Sequence, residues 1–209
     1  MKLQDVLPSE IERRSMKIIT EELGDRVLDP EHEAVIKRVI HTTADFEYVD
    51  RLKFSPDAVR LGREALRGGA SIVTDTQMAR AGISKKTLER FGGSVYCFIA
   101  DSDVAEEAKR LGTTRSAAAM RKAARILSGP LVFAIGNAPT ALLELENLLD
   151  EGIVRPKLVI GVPVGFVNAA ESKERFLLRS DVPYIIAQGR KGGSNVAAAI
   201  CNALLYQLT

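Results

Sequence analysis

The chain predicts an α/β fold in which a parallel sheet is covered by helices on both faces. Three observations carry that reading. Strand-like apolar runs alternate regularly with helical patterns from residue 70 to residue 207. The runs are apolar throughout rather than alternating in polarity, as strands buried on both faces must be. Three of them end in a glycine-rich turn that opens a helix: Gly136-Asn137-Ala138-Pro139-Thr140, then Gly161-Val162-Pro163-Val164-Gly165-Phe166-Val167-Asn168, then Gly189-Arg190-Lys191-Gly192-Gly193-Ser194-Asn195. In open α/β sheets, ligands bind beyond the carboxyl ends of the strands, where such turns lie.

The elements follow in order. Pro8-Ser9-Glu10 leads into Ile11, Ser15, Ile18 and Ile19, an opening helix. Asp29-Pro30-Glu31 reads as an N-cap with proline at the first helical position, and that helix should run to about Ile40. Ser55-Pro56-Asp57 starts a third helix that ends at Gly68-Gly69. Strands are then predicted at 70–74, 95–100, 131–135, 158–162 and 184–187, and helices at 75–91, 103–110, 114–128, 138–151, 168–179 and 194–207. This alternation implies right-handed crossovers. Five strands fit a doubly wound, flavodoxin-like parallel sheet in three layers, α/β/α, although the strand order is not fixed by sequence. A single domain, 1–209, is expected, with the N-terminal helices of 8–68 packed on an α/β core of 70–209.

Composition bounds the function. With 46% hydrophobic and 27% charged residues and a net charge of +2 over 209 residues, the balance is that of an ordinary globular chain. It argues against disorder and against a surface that wraps a polyanion, so no nucleic-acid partner is expected. No apolar run approaches the ~18 residues of a membrane helix, and no apolar stretch follows the N-terminus as in a signal peptide. A cytoplasmic protein with no membrane partner is therefore expected. Cys97 and Cys201 sit in apolar surroundings and read as reduced core thiols. Two cysteines and two histidines with no short spacing give no metal site.

Several residues stand out against this background. Arg115 sits in the first turn of a helix capped by Thr113 or Thr114, where the macrodipole disfavours a cation by roughly 0.3–1 kcal/mol. Arg190 and Lys191 repeat the arrangement before a helix that Ser194 is expected to cap. Each alone reads as a solvated charge, and an exposed charge costs little. Together, at carboxyl strand ends, they point to an anionic ligand. Neither a Walker A loop nor a G-x-G-x-x-G turn is present, so a nucleotide has no recognised motif.

His41 is the other candidate. Projected on a helix, Val35, Ile36, Val39 and Ile40 form one stripe. His41 falls opposite its centre, beside Lys37 and Arg38, whereas His32 lies on the apolar side and suits a core histidine. A helix C-terminus favours imidazolium, as an acid catalyst requires. The stretch after it, Thr42-Thr43-Ala44-Asp45-Phe46-Glu47-Tyr48, mixes hydroxyls, carboxylates and aromatics; Phe46 and Tyr48 fit the core edge, and Asp45 and Glu47 read as solvated. Arg13 and Arg14 lie on the charged face of the first helix.

Taken together, these segments resemble the precorrin-8X methylmutase family, in its metal-free and cobalt-substrate versions. The matching stretches are Glu12-Arg13-Arg14-Ser15, Val39-Ile40-His41-Thr42-Thr43-Ala44-Asp45-Phe46, Gly112-Thr113-Thr114-Arg115-Ser116-Ala117-Ala118, residues 134–142, residues 161–173 and Gly189-Arg190-Lys191-Gly192-Gly193-Ser194. They span nearly the whole chain in order, with no departure at these positions.

The resemblance implies a cofactor-free, flavodoxin-like homodimer acting as an isomerase. It would move a methyl group from C-11 to C-12 of a corrin precursor, (cobalt-)precorrin-8, to give hydrogenobyrinate or cobyrinate. His41 would be the general acid, and Ser15 and Arg115 substrate contacts. The remaining substrate-binding set is expected to be Arg14, Thr42 and Thr114, with Gly136 and Asn137 from one turn and Arg190, Lys191 and Gly192 from another. A corrin precursor is a small-molecule polycarboxylate, and its acetates and propionates would supply the anion that the cations and helix N-termini lack. Ala138, Pro139, Val164 and Phe166 would lie along the ring faces. The threonines after His41 are similar to the cobalt-substrate branch, and the cation set suits either substrate. Competing readings are a non-catalytic corrinoid carrier, a nucleotide or phosphosugar protein, and an assembly subunit.

Overall fold

The computed structural model describes Leu7 and residues 10–208. Its centre is a six-stranded sheet. The strands are β1 (Leu52–Phe54), β2 (Ser71–Thr74), β3 (Val95–Tyr96), β4 (Leu131–Ile135), β5 (Leu158–Gly161) and β6 (Tyr184–Ala187), in the order β1-β6-β5-β4-β2-β3. The five strands from β2 onward are parallel and take the doubly wound order 2-1-3-4-5 of flavodoxin-like sheets.

The sixth strand corrects the expected five. β1 runs antiparallel to β6 at the sheet edge, with Leu52 opposite Ala187 and Phe54 opposite Ile185. The Ser55 Oγ extends the pairing by accepting from the Tyr184 N–H at 2.9 Å. Three residues before a proline are too short for a period to show. The strand expected over 95–100 is shorter than the sequence suggests. Past Tyr96 the ladder stops: the Tyr96 carbonyl takes the Thr74 hydroxyl, the Cys97 carbonyl takes the Gln77 amide, and the chain turns at 98–101.

Alternation of side chains along each strand splits the interior in two. Ile72, Val132, Ala134, Leu158, Ile160 and Ile185 face one apolar cluster. That cluster is closed by α1 (Ile11–Leu23), α2 (Glu33–Thr43), the one-turn α3 (Tyr48–Arg51), α4 (Ala58–Arg67), α6 (Lys85–Glu89) and α11 (Ser194–Tyr206), with α5 (Gln77–Gly82) packed on α11. Val73, Phe133, Ile135, Val159 and Ile186 face the other, closed by α7 (Ser102–Leu111), α8 (Arg115–Ile126), α9 (Pro139–Asp150) and α10 (Ala169–Leu177). The three-layer arrangement is the expected one.

Local differences have local causes. The start of the first helix at Pro8 and Ser9 lies outside the described residues, and α1 itself begins at Ile11. Asp29 does not cap α2; its carboxylate closes a turn onto the Glu31 N–H at 2.8 Å, and α2 begins at Glu33. The helix expected over 75–91 breaks at Ile83, which is extended, and the Ser84 N–H leaves the helix for the Asn202 side chain at 2.8 Å. Gly82 permits this close packing, because a Cβ there would stand 2.9 Å from the Ala198 methyl.

Candidate functional site

The chain reverses its winding direction between β2 and β4, and that is where an α/β sheet opens a crevice. Here the crevice is closed by Asp75, the residue after β2. Its buried carboxylate accepts the Gly136, Asn137 and Ala138 N–H groups at 2.9, 2.8 and 2.7 Å. Burial pushes the Asp75 carboxyl up, against the three N–H donors that pull it down. The anion at the mouth of α9 is thus part of the protein. Gly136 is buried with its N–H committed, and a Cβ on it would come within 2.7 Å of the Ser194 Cα. Asn137 is the exposed residue of this turn.

Beside it, α8 opens as expected. The Thr114 hydroxyl caps the helix by accepting from the Ala117 N–H at 3.2 Å, and it shares a 2.8 Å hydrogen bond with the Thr140 hydroxyl on α9. That bond brings the two helix starts together at the carboxyl edge of β4. Arg115 follows the cap, exposed, with no ion pair among the described residues.

The turns after β5 and β6 are bound to each other. The Gly193 N–H donates to the Val162 carbonyl at 2.9 Å and the Gly165 N–H to the Arg190 carbonyl at 3.2 Å. Gly192 is needed for that approach, since a Cβ would fall 2.1 Å from the Val162 oxygen. The side chain of Lys173, on α10, donates from below to the Pro163 carbonyl at 3.0 Å and the Lys191 carbonyl at 2.9 Å. Lys173 is fully buried, and burial pulls its ammonium down to about 8. Above the turns the Arg190 guanidinium lies 5.5 Å from the Phe166 ring centre, a cation–π contact. That ring is 84% exposed. Ser194 does not cap α11: the cap position is Gly193, at φ 139°, and the Ser194 hydroxyl instead meets the Thr76 hydroxyl at 2.7 Å.

Lys191 corrects another expectation. Its anions are in the chain: the ammonium is 2.5 Å from an Asp45 oxygen and 3.1 Å from a Glu47 oxygen. The Lys191 hydrogen bond holds the Asp45 carboxyl below the usual range, and the same partner raises Lys191. Asp45 and Glu47 are therefore not merely solvated.

This ion pair anchors the loop that follows His41. Helix α2 ends at Ala44, left-handed at φ 54°, whose N–H returns to the Ile40 carbonyl at 2.7 Å. His41 is exposed on the last turn. It lines a cleft of about 360 Å³ together with Ser15, Ile18 and Glu22 from α1 and Phe46 from the loop. The Thr42 hydroxyl bonds back to the Arg38 carbonyl at 3.0 Å, and the Ser15 hydroxyl to the Ile11 carbonyl at 2.9 Å. Arg14 is exposed, one residue away. His32 stacks on Phe54 with ring centres 3.9 Å apart, in keeping with a packed histidine.

The structure thus joins Ser15 with His41 in one cleft, and Arg190, Lys191 and Gly192 on a turn tied to the His41 loop. Thr114, Arg115 and Asn137 lie at the neighbouring turn after β4, whose Gly136 packs directly against Gly193 and Ser194. Sequence reasoning missed Asp75 and Lys173. Lys173 had a visible signal, since it shares the i, i+3, i+4, i+7 stripe of Ala169, Ser172 and Phe176, a place for apolar side chains. Among the described residues no His, Cys, Asp and Glu side chains gather as a metal site. No helix among them is long and apolar enough to cross a membrane.

The chain is similar to known proteins over nearly its whole length. A family model described as precorrin-8X methylmutase matches residues 10–207. The cobalt-precorrin-8 methylmutase of Priestia megaterium is 51% identical over 95% of this chain and 88% of its own length. That of Salmonella typhimurium is 50% identical over 96% of both. The precorrin-8X methylmutase of Pseudomonas aeruginosa is 44% identical over 93% of both. A solved structure of precorrin-8x methyl mutase from Thermus thermophilus superposes with a TM-score of 0.85 at 38% identity, covering 95% of this chain and 97% of that one.

Proposed function

The chain belongs to the precorrin-8X methylmutase family, and from that membership we propose that His41 is the general acid of a methyl shift from C-11 to C-12 of a corrin precursor. The protein is a methylmutase, an isomerase of cobalamin biosynthesis. The observation that carries the acid assignment is the cleft shared by Ser15 and His41, with the imidazole exposed on the last turn of α2.

The chemistry is an acid-assisted [1,5]-sigmatropic shift. His41 lends a proton, or a strong hydrogen bond, to a ring nitrogen. The conjugated ring becomes electron-poor, the methyl migrates, and the proton returns. Substrate and product are isomers, so the step balances without a redox or group-carrying cofactor. General-acid assistance is worth ~10²–10⁴-fold. Holding the ring in a shape close to the transition state supplies the remainder.

The substrate reading rests on where unpaired charge remains. Arg14 and Arg115 are exposed and free of ion pairs among the described residues, and Arg190 has only the Phe166 face. These three, with the hydroxyls of Ser15, Thr42 and Thr114 and the Asn137 amide, suit the peripheral carboxylates of a corrin. Gly136 and Gly192 act by letting the turns approach, and Lys191 by joining a turn to the His41 loop. Val164 and Phe166, exposed and apolar, suit the ring face. Whether the ring already holds cobalt is a property of the substrate, because the macrocycle carries the metal.

The same reading carries a cytoplasmic homodimer of one-domain subunits. Exposed Ile11 and Ile18, two turns apart on α1, are an apolar strip beside the cleft. The domain assignment is supported by the cluster that runs unbroken from Ile19 and Ile40 to Ile200 and Leu204. Incubating the protein with precorrin-8 and with its cobalt form, while recording the visible spectrum, tests the function. Conversion to a corrin spectrum supports it; a spectral shift on binding without conversion favours a carrier.

A further inference from the structure

The ammonium of Lys173 is fully buried, yet no carboxylate among the described residues pairs with it. Its partners are two main-chain carbonyls, Pro163 in the turn after β5 and Lys191 in the turn after β6. A buried charge without a counter-ion is expensive, and a methionine of similar volume would fill the same stripe position on α10 at no such penalty. The stripe neighbours Ala169 and Phe176 are apolar, so packing alone does not require a lysine.

The two turns already exchange backbone hydrogen bonds, Gly193 to Val162 and Gly165 to Arg190. Those bonds set their spacing. Lys173 adds a third tie from beneath, at the residue beside Arg190. The Lys191 side chain then reaches the Asp45 carboxylate at 2.5 Å, four residues beyond His41. One connected path therefore runs from the floor of the turns to the loop of the acid.

We propose that Lys173 is a positioning residue for the reaction: its ammonium pins the turns after β5 and β6 so that Arg190 meets the corrin in register. The buried positive charge also lies beneath a surface that receives a polyanion, where it adds attraction without touching the ligand. The inference rests on the methylmutase reading. It predicts an effect on substrate capture more than on the methyl shift, because the carbonyls that Lys173 holds belong to the turns flanking Arg190 and not to α2, which carries His41.

The test is Lys173→Met, with steady-state kinetics and titration by cobyrinic acid. KM and the cobyrinic acid Kd should rise together by about ten-fold, because the turn that carries Arg190 loses its anchor and a small misplacement of a binding group is costly. The kcat should stay within about three-fold, as for a residue that acts on binding. A purely structural lysine would lower the melting temperature and the active fraction while leaving KM unchanged, and that result overturns the proposal. Absence of turnover in the wild-type protein would instead overturn the methylmutase reading. Should the variant fail to fold, the wild-type protein labelled with ¹⁵N-lysine decides: a slowly exchanging ammonium signal that moves at saturating cobyrinic acid is expected, and one that does not move contradicts it.

Discussion

The Lys191 ammonium lies 2.5 Å from the Asp45 carboxylate, joining residues 146 positions apart in the chain. One partner lies in the turn after β6; the other lies in the loop that leaves His41. The pair therefore fixes where the last turn of α2 stands relative to the carboxyl edge of the sheet.

Lys191→Met should show that this is a matter of geometry more than of stability. The pair is only partly buried, so its loss should lower unfolding free energy by about 1 kcal/mol or less. The kcat/KM should fall about ten-fold, since a small misplacement of a catalytic loop is costly. Asp45→Asn should do the same, and the double variant should be no worse than either single one. Additive losses in the double variant would mean that the two residues act separately.

Arg115→Ala should weaken cobyrinic acid binding about ten-fold or more, with little change in melting temperature. Arg115 makes no ion pair among the described residues and sits at a helix start that disfavours it. Wild-type binding should weaken as salt rises, and more steeply than in the variant. Unchanged affinity with a lower melting temperature would make Arg115 a structural residue.

Asp75→Asn should destabilise the fold. The amide would turn an N–H donor towards backbone N–H groups that Asp75 now accepts. A charge-assisted bond lost and a donor left unpaired are together worth about 2–4 kcal/mol. Denaturant unfolding measures this, and a loss under about 1 kcal/mol would show that the turn holds without the carboxylate.

Lys173 should leave a mark on stability above neutrality. Its ammonium is pulled down to about 8 by burial, so between that pH and the ordinary lysine range the unfolded chain binds the extra proton. Stability therefore rises with pH across this window, relative to a variant lacking the group, by about 1.4 kcal/mol per unit. The difference between wild type and Lys173→Met, followed by denaturant titration between about pH 7 and pH 10, should grow in favour of wild type. A difference independent of pH would show that the lysine is not held in an apolar setting.

Much of this was legible in sequence, and the reasons it stopped are physical. Leu131–Ile135 and Tyr184–Ala187 are found as written, because continuous β-branched and apolar runs between turn residues have few other folds open to them. Leu52–Phe54 was missed because its strand character comes from pairing with β6, not from its own pattern. Arg115 and the Thr114 cap follow from local helix electrostatics and were visible. The two anions that complete their sites from a distance, Asp75 for the Gly136 turn and Asp45 for Lys191, were not. Local rules flag an unsatisfied charge or N–H group, but its partner is chosen by the tertiary fold. Hence a cation placed against a macrodipole points to an anion without saying where it lies, and at Lys191 two lie within the chain.

His41→Asn tests the central claim most directly. Asparagine is polar and close in size, and His41 is exposed, so packing and cobyrinic acid binding should hardly change. It cannot serve as a Brønsted acid near neutral pH, so only proton donation is removed. Single-turnover conversion of precorrin-8, or its cobalt form, should slow by about 10²–10⁴-fold with product affinity retained. Conversion near the wild-type rate at neutral pH would contradict the acid role and leave binding of the distorted ring as the source of catalysis.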